Sequence, residues 1–147
     1  MFSLRALTLL TALSATAYSA GTLQVVNKCS YDVAIYRNKI GEQSQQPERH
    51  TLTAGGGSSP AYENPDKGQV IDIYSGRNDD QLSTLTVINS NKVWYDLRTF
   101  DGNPIDGHST LASTDSSCKS IDSTMDLTQE TVQGCDIAAS FTLTLWD

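Results

Sequence analysis

The sequence predicts an all-β fold, a small single-domain antiparallel β-sandwich, and three observations carry that prediction. Apolar and polar residues alternate with a period of two along nearly every stretch outside the N-terminus. Clusters of Gly, Pro, Asn, Asp and Ser interrupt that alternation at short intervals. Seven or more strand-length segments result, with no internal repeat and no linker, and strands of that kind each need a second sheet to bury one face.

The elements follow in order. Residues 1–19 read as a cleavable signal peptide, leaving 20–147 as the folded domain. Arg5 supplies the positive start, and Ala6 to Leu13 is an apolar run too short for a membrane span. Ala17 and Ser19 are the small residues that a cut after Ser19 requires; a cut after Ala20 would put Tyr18 at a position that favours small side chains. Thr22 to Asn27 and Asp32 to Asn38 read as strands joined by a tight turn, and Asn38 to Glu48 as a polar loop. His50 to Thr53 has the length of a short strand, and Ala54 to Pro60 (AGGGSSP) is a glycine-rich turn. Gln69 to Ser75 (QVIDIYS) sets Val70, Asp72 and Tyr74 against Ile71 and Ile73. Leu82 to Ile88 and Lys92 to Leu97 form a hairpin across Asn89-Ser90-Asn91. The segment 109–124 reads as a polar loop, Ser123 to Val132 carries a weak helical pattern, and Ser140 to Trp146 is a final strand.

Loss of the signal leaves nine basic against 17 acidic residues, a net charge of −8. So acidic a domain is repelled by nucleic acid and by anionic membranes, and neither is expected as a partner. Asn27-Lys28-Cys29 is the rare cysteine form of the glycosylation sequon, and no usual form occurs. Cys29, Cys118 and Cys135 are an odd set for a secreted chain. A Cys118–Cys135 bridge would close a short loop worth about 3 kcal/mol and leave Cys29 as a free buried thiol. The alternative pairs Cys29 with one of the other two. The spacings suit no zinc site.

Three blocks carry a family resemblance. Leu23-Gln-Val-Val-Asn-Lys-Cys-Ser-Tyr-Asp-Val33 resembles the opening strands of thaumatin-like proteins, and Leu52 to Ser58 (LTAGGGS) is similar to their Leu-x-x-Gly-Gly-Ser turn. Trp94 to Pro104 (WYDLRTFDGNP) resembles their aromatic-Tyr-Asp signature, in the form of the short fungal branch, the Blastomyces yeast-phase-specific or antigenic thaumatin-like family. The match spans most of residues 22–146. It implies a thaumatin-like sandwich and a last strand ending in a cysteine that pairs with the first. Here Trp146 stands at about that place, which favours a free Cys29. The resemblance also implies an acidic cleft of one Arg, one Glu and three Asp, used by some members to bind or cleave β-1,3-glucan. Asp96 and Asp101 match two of the aspartates by spacing. The Arg position falls near Ile73 and the Glu position near Val87, and the third Asp has no match.

Glycoside hydrolysis needs two carboxyls flanking the scissile bond. Asp96 and Asp101 without the Glu make a poor pair, and both have structural uses, Asp96 at a strand end and Asp101 in an Asx turn. The candidate ligand-binding residues are Asp96, Asp101, Tyr62 and Tyr74. Tyr62, Tyr74, Trp94 and Tyr95 would stack on sugar rings if exposed, although strand spacing makes core packing the expectation for Trp94. Asp101, Asn103 and Asp106 lack the frame of a calcium loop, so no metal or other cofactor is expected. His50 and His108 read as surface residues, and no serine sits in a nucleophile elbow. The expected function is that of a secreted, monomeric, non-enzymatic thaumatin-like protein at the cell wall or host interface. It would bind wall β-glucan or a host protein, as antigen or effector. The alternatives are a β-1,3-glucanase with a reduced cleft and a structural wall protein.

Overall fold

The structure, a computed structural model, describes residues 21–42, 46–78, 80–100, 108–122, 124–129, 131–136 and 138–147. The segment read as a signal peptide, 1–19, and Asp101 lie outside them. Among the described residues there are eleven strands and no helix: β1 (Thr22–Asn27), β2 (Val33–Lys39), β3 (Glu48–Leu52), β4 (Gly57–Ser58), β5 (Tyr62–Glu63), β6 (Gln69–Ser75), β7 (Gln81–Asn89), β8 (Val93–Thr99), β9 (Thr110–Ser113), β10 (Gln133–Cys135) and β11 (Phe141–Leu145).

They form two sheets. The larger has six strands in the order β10-β8-β7-β6-β2-β3, all antiparallel. The smaller runs β4-β1-β11-β9, with β5 also on β1. Its central pair, β1 with β11, is parallel, which makes this sheet mixed. The alternating apolar residues meet between the sheets. Leu23, Val25, Phe141, Leu143 and Leu145 from the smaller sheet and Ile35, Ile71, Ile73, Leu85, Val87, Tyr95 and Leu97 from the larger are at most 2% exposed. Tyr95 and Phe141 bridge the layers with ring centroids 4.7 Å apart.

β1 and β2 stand in different sheets, so the turn between them is a crossover, not a hairpin. Asn27 holds it. Its buried side-chain amide donates to the carbonyls of Tyr31 and Leu52 at 2.9 and 3.1 Å, and its Oδ1 accepts the Cys29 N–H at 3.0 Å. A fully buried Asn27 presents no amide for glycosylation in the folded state. The glycine-rich turn needs its glycines: Gly55 and Gly56 have φ of 72° and 138°.

Two parts of the sequence reading change. β9 lies inside the segment read as a polar loop, and β10 follows the segment read as weakly helical. In place of helix there are side-chain turns. Asp122 Oδ1 accepts the N–H and hydroxyl of Thr124, and Asp126 Oδ1 does the same for Thr128. Short acids and threonines offer the backbone these local partners and so compete with helix. A disulfide joins Cys118 to Cys135, with Cα atoms 5.0 Å apart, and Cys29 is free and buried. The parallel ladder continues past its last pair, since Lys28 N–H donates to Leu145 O. That register brings Asp147, not Trp146, beside Cys29; the Asp147 carboxylate takes the Ser30 N–H, and Trp146 is 47% exposed.

A candidate ligand-binding face

The larger sheet turns one face to the core and the other to solvent. On β8 the pleat sends Val93, Tyr95 and Leu97 inward and Trp94, Asp96 and Arg98 outward. On β7 it sends Thr84, Thr86 and Ile88 outward. The register pairs Ile88 with Trp94, Thr86 with Asp96 and Thr84 with Arg98. With Phe100 and Val132 these residues line a shallow groove of about 440 Å³.

Trp94 is its centre. The indole is 42% exposed, so the core role expected for it does not hold. Tyr95 takes that role instead, 1% exposed, its hydroxyl donating to Lys119 O at 2.6 Å. The parity of β8 carried the signal, because Trp94 shares its phase with Asp96 and Arg98. Trp94 pairs with Gly134 across the β8–β10 ladder. A Cβ on Gly134 would stand 2.8 Å from the indole carbons Cε3 and Cζ3. The six-membered ring therefore packs where a side chain at position 134 would stand. Ile88, Phe100 and Val132, each between 43 and 46% exposed, surround it with apolar surface.

Asp96 is a structural clamp at the same place. Its Oδ1 accepts the Thr131 N–H at 2.7 Å and lies 3.0 Å from the Thr131 hydroxyl. Its Oδ2 accepts Arg98 Nε–H at 2.8 Å. Thr99 N–H donates to Leu127 O at 2.8 Å, and β10 completes the pairing with Val93 to Tyr95. Residues 126–129 and 131–136 thus form a strap along the outer edge of β8. Neither Thr131 nor Gly134 was singled out from the sequence, since each acts on a residue 35 or 40 positions away.

Among the other candidates, Tyr74 shares this outer face, toward β2. It meets the Tyr36 ring edge-on, with centroids 5.2 Å apart. Tyr62 does not belong to the face. It sits on β5 in the other sheet, 4% exposed, with the Arg37 guanidinium 4.5 Å over its ring and His50 beside it. A ring so covered offers no surface to a sugar, and burial pushes its phenol up to about 12. Arg37 ties that end of the sandwich together, bonding Gln69 Oε1, Glu63 O and Glu48. Hydrogen bonding from His50 and then Arg37 holds Glu48 below the usual carboxylate range.

For acid/base hydrolysis the face is poorly equipped. Both oxygens of Asp96 are engaged. Asp72, a second carboxylate on the face, is two strands away, about 10 Å before the offset along the strand is counted. Its Oδ1 accepts from Thr84 and Gln81. Ile73 and Val87, near which the Arg and Glu of the acidic set would fall, are fully buried core residues.

Solved structures with this architecture define its class. The protein elicitor MoHrip2 from Magnaporthe oryzae superposes with a TM-score of 0.68 at 18% identity, over 86% of this chain and 98% of the elicitor. The thaumatin-like xylanase inhibitor TLXI superposes with a TM-score of 0.60 at 14% identity, over 84% of this chain and 97% of the inhibitor. The chain has the thaumatin-like fold. The profile of the Blastomyces yeast-phase-specific protein family matches residues 10–147, and the chain belongs to that family. No curated protein sequence gives a significant match.

Proposed function

We propose that this chain is a secreted, non-enzymatic thaumatin-like protein that binds a glycan of the wall or host surface on the outer face of its larger sheet. Residues 1–19 act as its signal peptide and 20–147 as the mature domain. One observation carries the reading: the Trp94 ring packs against Gly134 and is still 42% exposed, in a groove that also presents Asp96, Arg98 and two threonine hydroxyls. The C–H face of a pyranose is apolar and stacks on such a ring, while its hydroxyls need polar partners at the margin. An elicitor and an inhibitor with the same fold fit a role in recognition. The engaged oxygens of Asp96 speak against hydrolysis.

The test uses protein collected from the medium of cells expressing the full chain, which checks export at the same time. We expect retention on insoluble β-1,3-glucan and its loss in Trp94→Ala, with no reducing sugar released from laminarin. Absence of retention on any wall polysaccharide at low salt would refute glycan binding. Sugar release abolished by Asp96→Asn would establish the glucanase alternative in its place.

A further inference from the structure

We infer that the face is a linear site for an extended, uncharged β-1,4-linked glycan lying along β8, in preference to a coiled β-1,3-glucan. This rests on the reading that the Trp94 face holds a glycan and adds the shape and linkage of the chain.

Exposed apolar surface is gathered at this one place. Among the described residues five large apolar side chains are exposed, and Ile88, Trp94, Phe100 and Val132 of these line the groove. The strand sets its own members in a row. Trp94, Asp96, Arg98 and Phe100 are alternate residues, and all four line the groove. Phe100 is one residue past β8 but continues the ladder: its N–H donates to Leu82 O at 3.3 Å, next to the Ser83–Thr99 pair. Six residues of antiparallel strand put the Cα atoms of Trp94 and Phe100 about 20 Å apart. The groove thus has an aromatic side chain at each end, Trp94 42% and Phe100 43% exposed.

Between the two rings the lining is polar and without net charge. Asp96 and Arg98 are its charged residues, and they pair with each other at 2.8 Å. Thr86 stands opposite Asp96 and Thr84 opposite Arg98. The Thr84 hydroxyl is bonded to Asp72. The Thr86 hydroxyl has no partner among the described residues and is left for a sugar hydroxyl. Such a middle selects for hydroxyls and not for charge.

Two rings in one line on a rigid strand ask for a ligand that stays in line. A β-1,4 linkage joins pyranoses through equatorial bonds on opposite sides of each ring, so the chain runs straight and keeps its C–H faces along its length. A β-1,3 linkage turns the chain at every sugar, so a chain seated on Trp94 leaves the line before Phe100. A disaccharide covers one ring, whereas about five sugars of an extended chain bridge the span of about 20 Å. Once one sugar is seated on Trp94, the contact at Phe100 is intramolecular and adds affinity without a second cost of association.

The experiment titrates the secreted protein by calorimetry with oligomers of two to six sugars in three series: β-1,4-glucan, β-1,4-linked N-acetylglucosamine and β-1,3-glucan. We expect at least one β-1,4 series to gain about 10-fold or more in affinity between two and six sugars, and the β-1,3 series to bind more weakly with no such step. Affinity should change less than about 2-fold between about 20 and 300 mM salt, because the charges of the lining are paired. Phe100→Ala should remove the step and leave the disaccharide unaffected, and Trp94→Ala should weaken every length. Phe100→Leu keeps an apolar side chain without a flat ring and should lose the step as well, with an unchanged urea midpoint showing that the domain is intact. A six-sugar β-1,3-glucan binding as tightly as the β-1,4 oligomers, or a length step that survives both Phe100 substitutions, overturns the inference and leaves the glycan reading standing. No binding of any oligomer overturns both.

Discussion

Replacing Asp96 with alanine separates the clamp from every catalytic reading of that residue. The carboxylate is largely covered, with its side chain 13% exposed. Removing it takes the acceptor from Thr131 N–H, which then has no partner at that place. The Thr131 hydroxyl has a second acceptor in Leu97 O at 3.0 Å and keeps a bond. One charge-assisted bond is lost outright, and such bonds contribute about 1.5–3 kcal/mol net. The Arg98 pair adds little, since that side chain is 48% exposed. Together the expected loss is about 2–3 kcal/mol, or roughly 6–10 °C in midpoint for a domain of this size. Urea unfolding followed by tryptophan fluorescence measures it, with an unchanged m-value. Asp96→Asn retains an oxygen for Thr131 and should lose only about 1 kcal/mol. Amide exchange at Thr131 should rise in the alanine variant and not in the asparagine one. An alanine variant within about 0.5 kcal/mol of the parent would refute the clamp, since that is the range of ordinary surface substitutions.

Further outcomes follow from neighbouring features. Reducing Cys118–Cys135, 17 residues apart, should lower stability by about 3 kcal/mol, measured by urea titration with and without reductant. Cys29, raised to about 11 by burial and then by Asp147, should not react with a thiol reagent in the native state at pH 8 but should react once unfolded. Because its folded value lies above the unfolded one, its contribution is complete below about pH 8.5 and declines as pH rises toward 11; Cys29→Ala should flatten that alkaline limb. Glu48 is shifted the other way, chiefly by His50, so its contribution is present at neutral pH and is lost as pH falls through the carboxylate range. Glu48→Gln should therefore flatten the acid limb of the stability curve. Gly134→Ala should leave stability within about 1 kcal/mol yet push the indole off β10, weakening glycan binding several-fold in a pull-down. Unchanged retention would show that the seat of Trp94 on Gly134 is not needed.

What the sequence made legible depended on how locally each element is determined. β6 appears over the same Gln69–Ser75 predicted from its alternation, because a strand buried on one face writes its period into its own residues. The β7–β8 hairpin and the last strand were legible for the same reason. β9 and β10 were not. Thr110–Ser113 and Gln133–Cys135 are short and polar, and they are strands because β11 and β8 supply the ladder beside them. The separation of β1 from β2 was equally invisible, since it depends on Asn27 reaching the carbonyl of Leu52, 25 residues on. Within the candidate face, Asp96 could be found from a family pattern. Its partner Thr131, and Gly134 under Trp94, lie in a segment whose composition suggests only a loop. Tyr62 was misjudged because nothing in its own neighbourhood shows that Arg37 and His50 close over it.

The strap of residues 126–129 and 131–136 links these features into one device. It provides the glycine against which Trp94 packs and the apolar Val132 in the lining of the groove. Its own ladder with β8 is only three residues long. A ladder so short on an edge does not hold itself, so position must come from cross-links at its ends and middle. Cys135 is tied by the disulfide, Thr131 by Asp96, and Leu127 by Thr99 N–H. If the face binds a glycan, those ties are what keep the site formed before the ligand arrives, and a preformed site avoids the ordering cost of assembling one. Reduction of the disulfide and Asp96→Ala should then each weaken binding under conditions where the domain is still folded. Affinity that survives both changes would place the ligand elsewhere on the molecule.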